Sequence, residues 1–136
     1  MTNQELANSR LADARHFLEH ADRALQQGLY HHVVQFAQRA AELALKALLV
    51  HLGKDVPHVH HLAKLVSNLP SVRALPAETQ SRLYESGRSL EDQRIVSTYG
   101  AEDGTPPEAI FDQAKAAEAL EQGRLVVETV ATLIGP

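Results

Sequence analysis

Three groups of side chains in this chain have types and spacings suited to chemistry. The first is Glu42 and Lys46, one helical turn apart in a run that is otherwise almost wholly apolar. On an exposed helix such a pair contributes about 0.2–0.5 kcal/mol. Inside an apolar run the same two charges lie near buried surface, where charges are paired or used. The second group is Arg88, Arg94 and Tyr99. An arginine there can simply neutralise the negative end of a helix. The alternative is anion recognition, because a guanidinium presents a fork of donors matched to phosphate, and Tyr99 adds a hydroxyl or a stacking face. The third group is the histidines: His16, His20, His31, His32, His51, His58, His60 and His61. His16 and His20 share a helical face, as metal ligands do, but no third ligand stands beside them. His58 and His61 come together at the start of a helix, with capping, packing or solvent contact as their ordinary roles. Zinc needs three or four converging ligands, and none can be named, so no metal and no cofactor is expected.

Signatures of well-known sites are absent. There is no GxGxxG or GxxxxGK phosphate loop, no HExxH and no GxSxG. Scattered Ser, His and Asp residues do not amount to a triad without a geometry to join them. No catalytic residue is assigned.

Composition narrows the classes further. The 136 residues suit one domain, here 1–136, large enough to bury roughly two thirds of its extended surface. With no cysteine, disulfides, iron–sulfur clusters and thiolate metal sites are excluded, and a reducing cytoplasm is the expected location. A net charge of -4 weighs against non-specific duplex binding, though not against a local basic cleft. Three Phe, three Tyr and no Trp leave little surface for stacking bases on a sheet. No membrane association is expected: the longest apolar stretch is broken by Glu42 and Lys46 and is too short to span a bilayer.

The elements that must position these groups read as helices. Leu11, Ala14, Leu18, Ala21 and Leu25 recur at spacings of three and four, predicting a first helix from about residue 4 to Gln27, ended by Gly28. The second, from about Tyr30 to Leu52, is apolar nearly all round. Its polar interruptions are Gln35, Gln38, Arg39, Glu42 and Lys46. Such a helix is central in a bundle or shared with a second subunit. A short helix is expected over His58 to Leu69, ended by Pro70. A long one is expected from Ala77 to Ile95, reaching toward Thr98, with Tyr99 to Thr105 as loop. Thr105 as N-cap, Pro106 at the first position and Glu108 predict the start of the last helix. Ala116, Leu120, Gly123, Val127, Val130 and Ile134 continue one face to its end. The expected fold is all-α, an antiparallel up-and-down bundle of four long helices plus one short helix.

The run GLYHHVVQFAQRAAELALKALLVHLG followed by HHLAKLV resembles the HEPN domain, the higher eukaryotes and prokaryotes nucleotide-binding domain. Phe36, Gln38, Ala40, Ala41, Glu42, Lys46, Ala47, Leu48 and Leu49 match the phrase of its second helix, with Arg39 where a second Gln is common. His61 and Leu62 match a later His-x-Leu element, and Arg94 and Tyr99 within QRIVSTYG match an Arg-and-Tyr segment. The resemblance covers nearly the whole chain and is closest to the stand-alone type.

That resemblance implies a helical module, a homodimer, and a nucleotide or an acidic partner as ligand. Lys46, His61, Arg94 and Tyr99 would be the binding candidates, with Glu42 and Arg88 in support. Two alternatives stand beside that reading. One is a divergent metal-independent ribonuclease, or a toxin–antitoxin component paired with a minimal nucleotidyltransferase. Aligned through RIVSTY, however, the Arg and His of the nuclease motif fall on Asp92 and Ser97, and no His follows Arg94. A phenol is a poor substitute base at neutral pH, so RNA is a less favoured ligand than a nucleotide. The other alternative is a purely structural assembly module, in which Glu42, Lys46 and Arg94 satisfy one another and leave no open cleft.

Overall fold

The computed structural model describes residues 1–135. Its first helix, α1 (Asn3–Gln26), opens on Thr2, whose hydroxyl accepts from the Glu5 backbone N–H at 3.1 Å and donates to the Glu5 carboxylate at 3.1 Å. Thr-x-x-Glu is the sequence form of a helix start. After Gly28 the chain reverses into α2 (Tyr30–His51). As its composition requires, α2 is the centre of the molecule, and it packs against α1 and, further along the chain, α5 (Ala77–Tyr99) and α7 (Gln113–Ile134). Val33, Val34, Ala37, Ala40, Ala44, Ala47, Leu48 and Leu49 are fully or almost fully buried. One chain therefore covers the apolar surface of α2. Close approach of α7 depends on Gly123, where a Cβ would stand 3.2 Å from the Ala37 Cβ and 3.2 Å from Leu18. The result is the expected all-α up-and-down bundle of four long helices.

The connections differ from the sequence reading. Residues 58–62 are not helical; α3 is only Ala63–Ser67. Its start is set by a remote carboxylate, Glu91 Oε1 on α5, which accepts from the backbone N–H groups of Leu62 at 2.6 Å and Ala63 at 2.7 Å. Pro70 does not merely stop this segment. Leu69 before it is extended, as pre-proline residues tend to be, and Pro70 opens a further short helix, α4 (Pro70–Arg73).

The last helix also begins later than expected. Pro107 pushes Pro106 into an extended conformation, with ψ 157°, so no helix can start at Pro106. The Thr105 hydroxyl is turned back onto Asp103 Oδ1 at 2.7 Å and caps nothing. A single turn, α6 (Pro107–Ile110), ends at Phe111, which is extended and buried. Asp112 then caps α7 by accepting from the Lys115 N–H at 2.9 Å. At the other side of this connection, α5 continues through Tyr99, so Tyr99 is helical and not loop. Gly100 ends it at φ 86°, where a Cβ would collide with the Thr105 carbonyl oxygen. Among the described residues three short helices accompany the four long ones, and no helix is long and apolar enough to cross a membrane.

Candidate functional site

Residues 35, 36, 38 and 39 of α2 and residues 94, 95, 97, 98 and 99 of α5 line the facing sides of the two helices, where side chains three and four apart overlie one another. Where these faces meet Phe17 of α1 they enclose an open cleft of about 370 Å³. Its depth is graded. Gln38 and Ser97 form a buried floor, Phe17, Gln35, Phe36 and Arg94 are half-buried walls, and Arg39, Ile95, Thr98 and Tyr99 form an exposed rim.

The walls are held by specific contacts. Gln35 Nε2 donates to the Ser97 carbonyl oxygen at 2.7 Å, tying α2 to the last turns of α5. The other end of that amide, Gln35 Oε1, lies 3.1 Å from His32 Nδ1. The Phe17 and Phe36 rings lie 6.2 Å apart, and the Arg39 guanidinium sits 5.2 Å from the centre of the Phe17 ring. At that range an arginine is attracted to the ring face, by about 0.5–1 kcal/mol where exposed. Neither Arg39 nor Arg94 makes an ion pair among the described residues. Two cations thus face a half-enclosed, partly aromatic space with their donors uncommitted. Beyond Phe36 lies a second, more open hollow bordered by His20, Arg23 and His32.

Below the floor is a separate polar cluster centred on Glu42. Its carboxylate accepts from Lys46 Nζ at 3.3 Å and Gln38 Nε2 at 3.3 Å, and His60 Nδ1 lies 2.9 Å away. The Glu42 side chain is only 10% exposed. Burial alone pushes its carboxyl up. The hydrogen bond from His60, the charge of Lys46 and the hydrogen bonds from Gln38 and Lys46 outweigh that and hold it below its usual value.

The six residues singled out from the sequence are therefore divided among different places. Arg94 and Tyr99 line the cleft. Lys46 does not; it is engaged by Glu42. His61 is exposed and joins neither group, and its neighbour His60 takes the contact with Glu42. The expectation paired His58 with His61 on a helical turn, and that turn does not form. Arg88 faces Asp92 across 3.7 Å on the exposed surface, a pairing of little energetic weight. Arg94 stands outside the Glu42–Lys46 pair, so the closed three-residue ion network does not form and the cleft stays open. Phe17, Gln35, Phe36, Gln38 and Arg39 were not foreseen as cleft residues. The signal for three of them was present: Gln35, Gln38 and Arg39 interrupt an apolar helix at spacings of one, three and four. No group of three or more His, Asp or Glu side chains among the described residues is placed to hold a metal ion.

A sequence model of the HEPN domain matches residues 7–133, nearly the entire chain. The chain belongs to the HEPN domain family. Its bundle is similar to the crystal structure of TT1696 from Thermus thermophilus, at 30% identity and a TM-score of 0.81, over 93% of this chain and 97% of that one. It is also similar in fold to ST0689, described as an archaeal HEPN homologue, at 22% identity and a TM-score of 0.76, over 95% of this chain and 98% of that one. No curated protein matches the chain. Within this HEPN domain the family phrase of the second helix contributes to both polar regions: Phe36 and Gln38 to the cleft, and Glu42 and Lys46 to the cluster beneath it.

Proposed function

We propose that this HEPN domain is a binding module that takes a nucleotide in the cleft between α1, α2 and α5. The observation that carries the reading is the pair of arginines, Arg39 and Arg94, without carboxylate partners among the described residues and beside Phe17 and Phe36. Guanidinium forks suit phosphate oxygens, and the rings offer flat apolar surface to a base. A volume of about 370 Å³ falls in the range of small-molecule sites. Arg94 and Arg39 take the phosphate, Tyr99 closes the rim, and Lys46 and His61 are left out of ligand contact.

RNA cleavage is not part of this reading. The cleft lining contains no histidine and no carboxylate, so no side chain there is suited to move a proton at neutral pH. A nucleotidyltransferase partner has support only in the family resemblance. A homodimer belongs to the proposal, at the rim where Ile95 and Tyr99 are 54% and 78% exposed.

Calorimetric titration with a panel of nucleotides tests the reading. Saturable binding is expected, with Arg94→Ala weakening it by about 10- to 100-fold through loss of a charge-assisted contact. Absence of heat at millimolar nucleotide, or unaltered affinity in Arg94→Ala, overturns it.

A further inference from the structure

We propose that Gln38 selects among nucleotides by accepting a hydrogen bond from an exocyclic amine on the base, and that Glu42 is the positioning residue that aims it. This rests on the nucleotide reading of the cleft and adds the class of base the cleft takes.

The orientation of one amide decides the matter. Gln38 is 4% exposed and belongs to the floor of the cleft, and it also lines a small hollow shared with Glu42, His60 and Glu91. Its nitrogen donates to Glu42 Oε1 at 3.3 Å. An ionised carboxylate only accepts, so it can engage the NH₂ end of the amide and not the carbonyl end. The carboxylate is itself held by Lys46 at 3.3 Å and His60 at 2.9 Å, so it cannot easily turn away. Oxygen and nitrogen diverge from one carbon. With the nitrogen on Glu42, the Gln38 oxygen is the free end of the amide, on a residue that lines the cleft.

That oxygen is the acceptor left over. No side chain or backbone donor among the described residues reaches it, and it is not among the buried polar atoms sealed from solvent. The neighbouring polar groups of the floor and wall are occupied. Gln35 uses both ends of its amide, on Ser97 and His32, and the Ser97 hydroxyl donates to the Arg94 carbonyl at 3.2 Å. A ligand that fills the cleft shields the Gln38 oxygen from solvent and must offer it a hydrogen bond or leave a buried acceptor bare.

The grading of the cleft says which part of the ligand meets it. Phosphate stays at the arginines nearer the rim, the flat ring lies along Phe36, and the edge of the ring reaches the floor. An amine on that edge satisfies Gln38, and hydrogen in its place does not. Sites that hydrogen-bond a ligand donor discriminate in this way because the unpaired protein group bears the cost.

The test compares AMP with the purine analogue that carries hydrogen in place of the amine, by calorimetry on wild type, Gln38→Leu and Glu42→Gln. Wild type is expected to prefer AMP by about 3- to 10-fold, the value of one neutral hydrogen bond. The preference should vanish in Gln38→Leu and shrink in Glu42→Gln, where an amide at position 42 no longer dictates which end of Gln38 turns to the ligand. A merely structural role for either residue would change both affinities and leave their ratio alone. Equal binding of the two ligands by wild type overturns the inference without any need for a folded variant, and leaves the nucleotide reading standing. Persistence of the full preference in Gln38→Leu overturns the role of Gln38, and persistence in Glu42→Gln overturns that of Glu42. Failure of both ligands to bind wild type overturns this inference, and failure of the whole nucleotide panel overturns the nucleotide reading with it.

Discussion

Glu42 draws together three donors from two segments of the chain, and its titration should be visible in the stability of the protein. The neighbours that hold its carboxyl below the usual value do so only in the folded state. A group whose folded pKa is depressed stabilises the fold above its unfolded value and loses that contribution as pH falls through the folded one. Glu42→Gln is therefore expected to be less stable than wild type near neutral pH, by about 1–2 kcal/mol after allowance for solvent screening. The difference should close as the pH drops below the ordinary carboxylate range. Thermal unfolding across pH measures it, and a gap that is constant with pH would show that the ionised form of Glu42 does not hold the cluster. The pairing of Glu42 with Lys46 was legible because i,i+4 spacing on a helix is a local matter. The choice of His60 over His61 was not. It depends on an irregular segment whose path is set by Glu91, a residue 29 positions away from the Leu62 N–H it holds. Phe17 and Arg39 were hidden for a related reason: their contact exists only because α1 and α2 pack together.

Among the elements, the long helices were readable from periodicity and the short connections were not. The start of the last helix is the clearest case. Thr105, Pro106 and Glu108 carry a good start signal, yet the second proline extends Pro106 and the buried Phe111 breaks the helix after one turn. The cap that counts is Asp112. Asp112→Ala is expected to destabilise the protein by about 0.5–2 kcal/mol, the usual worth of an N-cap. Chemical denaturation measures this, and an unchanged midpoint would mean that α7 does not depend on the Asp112 cap. The same connection shaped the site. The loop was expected to begin at Tyr99, but α5 runs through that residue, which brings it to the rim of the cleft on the same helix as Arg94.

For the molecule as a whole, the apolar second helix offered two explanations, a bundle centre or a subunit interface. Burial on α1, α5 and α7 within a single chain accounts for it without a second subunit. Of the large apolar side chains lining the cleft, Ile95 and Tyr99 are the exposed ones, and the homodimer is proposed there. Sedimentation velocity should then show a dimer that Ile95→Arg dissociates; a wild-type monomer at high concentration would rule that dimer out. The bundle was legible in the periodicity of the long helices and its family chiefly in the phrase of the second, whereas the cleft is a product of three helices meeting and could be seen only in part, through Arg94 and Tyr99.

Nucleotide binding in the cleft between α1, α2 and α5 underlies both functional proposals. It is tested most directly by titrating isotope-labelled protein with AMP and following amide and side-chain chemical shifts. Saturable shifts are expected, concentrated at Phe17, residues 35–39 and residues 94–99, with the exposed His61 and the outer face of α7 left unmoved. Shifts that fail to saturate, or that cluster away from Arg94 and Gln38, would place the ligand elsewhere and refute the proposed site.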